Sequence, residues 1–209
     1  MVGLSGKTAC LSRNGRGGIG STLRKALIRS GVTIVDDAET PEAVDFAICT
    51  AGKMVVRDPG TIEVDEVAQL YDANYLFPRT FTERHIRAMR AAKKGGTILH
   101  VGSNAARYGN LGAADYAAMK AGLAKYLELR GQSVRNDGIR LCLINLGAVA
   151  SEFWDKVCQT ADPTLLKTIM PTPEKALTVE EVSEMLLAVL QMPNRLVMKD
   201  ALVLSTDYQ

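Results

Sequence analysis

The sequence predicts a single α/β domain built on a doubly wound parallel sheet, and three observations carry that expectation. Short apolar runs of strand length alternate along the chain with segments of helical period. The runs are apolar at successive positions rather than at every second one, the pattern of strands covered on both faces. No linker, internal repeat or low-complexity tract divides residues 1–209.

Taken in order, residues 8–12 (TACLS) read as the first strand, followed by a glycine-rich turn. The helix after it carries Ile19, Leu23, Ala26 and Leu27 on one face and stops at Gly31. Residues 32–35 and 46–50 are the second and third strands. A helical region covers 64–92, interrupted or kinked at Pro78, which lacks an N–H. Residues 97–102, 139–145 and 201–205 supply the remaining strands, with helices over 115–133 and 179–191 between them.

Composition narrows the function. A chain of 209 residues favours one domain and buries about 70% of its unfolded surface. A formal charge of +2 leaves no basic excess for a nucleic-acid partner, and the run at 90–94 reads as a solvated helix end. No apolar stretch is long enough to span a membrane, and the N-terminus lacks the pattern of a secretory leader. The chain therefore reads as soluble and cytoplasmic. Of the four cysteines, Cys10, Cys49 and Cys142 sit in apolar runs and read as small buried hydrophobes in a reducing compartment. No C-x-x-C pair occurs, and His85 and His100 lie far apart, so spacing gives no metal site. His100, inside TILHVGS, reads as a hydrogen-bonded core residue rather than a general base.

Two segments carry chemistry. Within Ser12-Arg13-Asn14-Gly15-Arg16-Gly17-Gly18-Ile19-Gly20, the glycines at 15, 17 and 20 satisfy G-x-G-x-x-G between a strand and a helix. There glycines admit a pyrophosphate and helix N–H groups bind its oxygens; the plainer alternative is a loop without a ligand. No Gly-Lys-Ser/Thr follows, which disfavours a triphosphate P-loop. Asp36 and Asp37 close the second strand, where an acid bonds the adenosine ribose and repels a 2′-phosphate, while Arg13 and Arg16 would attract one. The balance slightly favours NAD over NADP.

Tyr116 and Lys120, four apart, share one helix face. An ammonium beside a phenol favours the phenolate, as proton exchange with a carbonyl oxygen requires near neutral pH. An ordinary amphipathic pair is the plainer reading. Ser103 ends a strand in HVGSNAA, where a hydroxyl can polarise a carbonyl or simply cap the loop.

Ser103, Tyr116 after twelve intervening residues, and Lys120 reproduce the Ser–Tyr–Lys set of the short-chain dehydrogenase/reductase family, which the sequence resembles over nearly its whole length. DFAICTAG at 45–52 is similar to the family's fourth-strand segment. Asn74 in DANYLF matches its catalytic asparagine, and NLGAVAS at 145–151 its nicotinamide loop. The resemblance implies a Rossmann-like fold and NAD(P)-dependent hydride transfer between nicotinamide and a carbonyl or secondary alcohol. Tyr116 would be the general acid/base, Ser103 would bond the substrate oxygen, Lys120 would bind the nicotinamide ribose, and the backbone of Asn74 would anchor a relay water. Cofactor contacts would fall to Asn14, Gly15, Arg16, Gly18, Ile19, Asp36, Ala51, Gly52, Gly147, Val149 and Ser151, together with Tyr116 and Lys120. A homodimer or homotetramer is implied, paired through helices at 74–92 and 115–133.

The chain departs from that family at three sets of positions and by one deletion. Arg13 and Asn14 stand at the Thr-Gly positions of Thr-Gly-x-x-x-Gly-Ile-Gly, with Gly15 one residue late; Cys49 and Thr50 replace an asparagine pair; and Leu146 replaces a proline. The nine steps from Asp36 to Asp45 span at most about 30 Å. Crossing to the neighbouring strand takes roughly 20 Å, leaving no room for a helix and an edge strand. The third-strand unit is therefore absent, and the sheet should have six strands with an exposed adenine side. By the resemblance, residues 148–176 lie where the family carries its variable substrate loop; Phe153, Trp154, Leu165, Leu166, Ile169, Met170, Pro171 and Pro173 make it apolar, either as a lid over the substrate or to dock on the core or a neighbouring subunit. The departures leave a second function class open, a catalytically weak or inactive dinucleotide sensor or structural protein; Asn74, Ser103, Tyr116 and Lys120 argue against it.

Overall fold

The computed structural model describes residues 2–39, 41–172 and 175–207. Among these, six strands form one parallel sheet in the order β2-β1-β3-β4-β5-β8: β1 (Thr8–Leu11), β2 (Thr33–Val35), β3 (Phe46–Cys49), β4 (Gly96–Ser103), β5 (Ile139–Leu146) and β8 (Ala201–Val203). β6 (Val149–Ala150) and β7 (Leu177–Thr178) make a separate parallel pair. The chain winds outward from β1 to β2 and returns to β3, so a crevice opens at the carboxyl ends of β1 and β3.

Alternation along each strand builds two cores. Ala9, Leu11, Phe46, Ile48 and Ile144 face helices α1 (Gly18–Arg29) and α7 (Val179–Leu190), meeting Leu23, Leu27, Val182 and Leu186. Cys10, Ala47, Cys49, Ile98, Leu141 and Leu143 face α3 (Phe77–Ala91) and α4 (Ala114–Ser133), meeting Phe81, Ile86, Met89, Leu123 and Leu127. His100 of β4 joins the second layer by hydrogen bonding. The Thr82 hydroxyl donates to the Pro78 carbonyl (2.9 Å), so His100 Nε2 is the donor in its 2.8 Å bond to Thr82. Burial, reinforced by the nearby Lys120 charge, pushes His100 down to about 3 and keeps it neutral.

The helical region expected over 64–92 is α2 (Val64–Tyr71), one turn of π-helix at Asp72–Leu76, and α3. The interruption precedes Pro78, which sits in the first turn of α3, where a missing N–H costs nothing. Between β2 and β3 the described residues hold no helix. The chain crosses as an irregular strap, tied down when Arg84 of α3 donates to the Ala38 carbonyl and the Asp37 carboxylate, both at 2.9 Å. Asp45 ends the strap. Burial opposes its ionisation, but the Thr8 N–H, the Lys94 and Lys7 ammonium groups and the Thr8 hydroxyl outweigh burial and hold it at about 2.

The segment 148–176, which the resemblance places as a loop, folds into α5 (Glu152–Thr160) and α6 (Pro163–Ile169). Asp162 accepts the Thr164 and Leu165 N–H groups (2.8 and 3.1 Å) ahead of Pro163, and Glu152 and Asp155 oppose the dipole in the first turn of α5. Among the described residues no helix is long and apolar enough to cross a membrane.

Candidate active site

A cleft of about 560 Å³ opens over the carboxyl ends of the central strands. Its floor begins at the glycine turn. Arg13, Asn14 and Gly15 are all left-handed (φ 52°, 57° and 65°), a run held by reciprocal bonds to Asp37: the Arg13 N–H donates to the carboxylate, and the Asp37 N–H donates to Asn14 Oδ1, each at 2.8 Å. A Cβ on Gly15 would lie 3.0 Å from the Gly20 carbonyl oxygen, so this glycine packs the turn beneath α1. Arg16, Gly17, Gly18 and Ile19 line the cleft, and the N-terminus of α1 there has no side-chain cap. Its first N–H groups are thus available to an anion.

Three expected cofactor residues lie outside the cleft wall. Asn14 fastens Asp37, Gly15 packs under the helix, and Asp36 is exposed, its carbonyl accepting the Cys10 thiol at 3.8 Å. The acid that engages the turn is Asp37, which is also ion-paired to Arg84.

The chemistry-bearing residues come together. Tyr116 and Lys120 lie on the buried face of α4 with Leu123 and Leu127, and Lys120 Nζ sits 5.6 Å from the Tyr116 ring centroid. Both line the cleft with Ala51, Gly52, Ser103, Gly147, Val149 and Ser151. A Cβ on Gly52 would stand 3.2 Å from Lys120 Nζ and 3.3 Å from Asn74 Oδ1, so glycine lets the loop after β3 approach both. Asn74 sits in the π-turn, fully buried and behind the wall. Its side chain accepts from the Lys53 N–H (3.1 Å) and donates to the Lys53 and Leu70 carbonyls (2.7 and 2.9 Å).

Ser103 both caps and lines: its hydroxyl accepts the Ala105 N–H at 3.2 Å while facing the cleft. Its own N–H donates to Asn145 Oδ1 (3.0 Å), and Asn145 donates in turn to Asp200 (2.6 Å), which is ion-paired to Arg107 (2.8 Å). Sequence reasoning missed this buttress; the signal was a lone amide at the end of the apolar run IRLCLIN. On the outer wall, Phe153, Trp154, Ile169 and Pro171 line the cleft, while Leu165 and Leu166 pack against the cluster of Met54, Val56, Ala113, Tyr116 and Val157. Met170 is exposed, and Pro173 lies outside the described residues. The expected apolar loop therefore divides between lining and docking.

The family model for short chain dehydrogenases matches residues 34–162. Among the solved structures similar to the chain are the following three. One is the closed form of a serine dehydrogenase complexed with NADP+ (TM-score 0.82, 18% identity, 97% of this chain and 96% of that chain). Another is a short-chain type dehydrogenase/reductase from Mycobacterium marinum (0.78, 17%, 96% and 94%). The third is BdcA in complex with NADPH (0.72, 18%, 95% and 93%). At these identities the likeness establishes the fold. No curated protein sequence matches the chain.

Proposed function

The chain belongs to the short chain dehydrogenase family, and on that premise we propose that it is an oxidoreductase moving a hydride between a nicotinamide dinucleotide and a carbonyl or secondary alcohol. One observation carries the reading: Tyr116 and Lys120 share a buried helix face and open into the same cleft as Ser103 and the uncapped start of α1.

The residues present fit a dinucleotide. The α1 N-terminus with Arg16, Gly18 and Ile19 would hold the pyrophosphate, Ala51, Gly52 and Lys120 the nicotinamide ribose, and Gly147, Val149 and Ser151 the nicotinamide. A bound nicotinamide supplies or accepts the hydride. Tyr116 gives its proton to the substrate oxygen as a carbonyl is reduced and takes it back in the alcohol direction. The Lys120 ammonium stabilises the phenolate this leaves, and Ser103 holds the substrate oxygen. Because the Asn74 side chain is committed to Lys53 and Leu70, it is the backbone of the π-turn that anchors a relay water. Phe153, Trp154, Ile169 and Pro171 exclude water from a substrate with an apolar body.

For the cofactor, Arg16 in the wall and Asp36 outside it favour a 2′-phosphate. Two of the similar structures are complexes with NADP+ and NADPH. The reading therefore takes NADP over NAD, reversing the slight preference drawn from Asp36 in the sequence. It also has copies pairing along the α2–α4 side, where Tyr71, Leu76 and Leu129 are exposed; light scattering should give a dimer or tetramer mass. A second reading, a dinucleotide sensor without turnover, is favoured by the exposed adenine side, since no described residue of the strap lines the cleft. A screen of ketones and aldehydes with NADPH, run beside Tyr116→Phe, separates the two. An oxidoreductase shows turnover that the variant loses while still binding cofactor; a sensor shows none to lose.

A further inference from the structure

Beneath the strap, away from the cleft, ligand-type side chains from three elements converge. Cys10 Sγ of β1, a carboxylate oxygen of Asp37 and a ring nitrogen of His85 on α3 lie within 4.8 Å of one another. His85 is fully buried, and neither ring nitrogen has a hydrogen-bond partner among the described residues. An unpartnered buried imidazole is costly, and coordination would satisfy one of its two nitrogens.

We propose that Cys10, Asp37 and His85 form a structural zinc site that clips the strap to the sheet and to α3. A thiolate, an imidazole and a carboxylate form a set suited to Zn²⁺ rather than to Mg²⁺ or Ca²⁺, which prefer oxygen alone. In a tetrahedral zinc complex neighbouring ligand atoms sit about 3.5 Å apart, so closure asks for about 1 Å of side-chain movement. Each Asp37 oxygen has one protein donor, Arg84 on Oδ1 and the Arg13 N–H on Oδ2, and keeps a lone pair for the metal. The Arg84 guanidinium opposes the cation, but a thiolate and a carboxylate together outweigh it.

Binding exchanges one proton for the metal. The Cys10 thiol loses H⁺ to solvent as the zinc–sulfur bond forms, and a water takes the fourth position. Because the thiol must lose its proton to bind, uptake strengthens as pH rises. The site lies where the missing third-strand unit would have contributed burial, and a metal linking β1, the strap and α3 is one way for a shortened chain to recover stability. Spacing could not show it: the three residues are 27 and 48 positions apart.

The test is zinc titration of the full-length, chelator-treated protein, with cobalt as a spectroscopic probe. One equivalent should bind and raise the thermal midpoint, and the cobalt form should show a thiolate-to-metal charge-transfer band. Cys10→Ser and His85→Gln should each weaken binding by about 100-fold or more, while Cys158→Ser, which removes the exposed thiol, should leave it intact. Tyr116→Phe should also bind zinc normally, because the site is independent of the cleft. A folded wild-type protein that takes up no zinc overturns the proposal, as does binding that survives Cys10→Ser. If the Cys10 and His85 variants do not fold, the wild-type cobalt spectrum decides, and absence of the charge-transfer band is refutation.

Discussion

On the side of the cleft proposed to be catalytic, the residues are positioned by regular structure. Helical period puts Tyr116 and Lys120 on one face, strand register brings Ser103 beside Leu146, and one π-turn seats Asn74. On the side proposed to face the adenine, side chains distant in sequence do the same job. Asp37 holds Arg13 and Asn14 across more than twenty positions, and Arg84 holds Asp37 across 47. Period and register tolerate changes in the residues between; a turn fixed by a few long-range bonds can be rebuilt one contact at a time. On the proposed reading, the residues of the catalytic set can therefore keep their places while the glycine turn beside them is built differently.

Mutation should separate the two sides. Tyr116→Phe should lower turnover by about 10²–10⁴-fold and leave dinucleotide affinity within about twofold, as steady-state rates and fluorescence binding would register. Gly102→Ala should cost about 3 kcal/mol in denaturant unfolding and reduce turnover through Ser103, because the added Cβ would meet Asn145 Oδ1 at 2.1 Å.

Acid should act on the sides in different windows. The folded His100 sits at about 3 against 6.5 unfolded, so below 6.5 the unfolded chain binds the extra proton and stability falls, by about 2 kcal/mol at pH 5. Metal-free His85, at about 4, adds to the same decline. Asp45 stabilises the strap above about 4 and loses that contribution only as pH falls from there toward 2. Urea midpoints measured from pH 7 to pH 3 should show the histidine loss first. Asn14→Ala is the smallest change. Loss of the bond to the Asp37 N–H and of the residue's tolerance for φ 57° should cost about 1–2 kcal/mol and weaken dinucleotide affinity with kcat unchanged.

What could be read from residues alone follows the same division. The six strands, the helix carrying Tyr116 and Lys120, and the shortened crossover were legible because apolar period and chain reach are local quantities. The left-handed Arg13 was not, since its conformation is fixed by a carboxylate 24 positions away. The engagement of Asp37 involves an ion pair with Arg84, which no local pattern connects to it. Helices α5 and α6 carried a readable signal, Asp162-Pro163 as a cap and start, inside a segment that the family resemblance places as a loop. Asn145 was visible as an amide in an apolar strand, but its partners Ser103 and Asp200 meet only across the sheet.

The most direct test of the account is a fluorescence titration of the purified protein with NADPH and, separately, NADH. Saturable binding at one site per chain, tighter for NADPH, is the predicted result and would join the rebuilt turn to the intact catalytic face. A folded protein that binds neither would mean that the remodelled adenine side no longer holds a cofactor, and the oxidoreductase reading would fall.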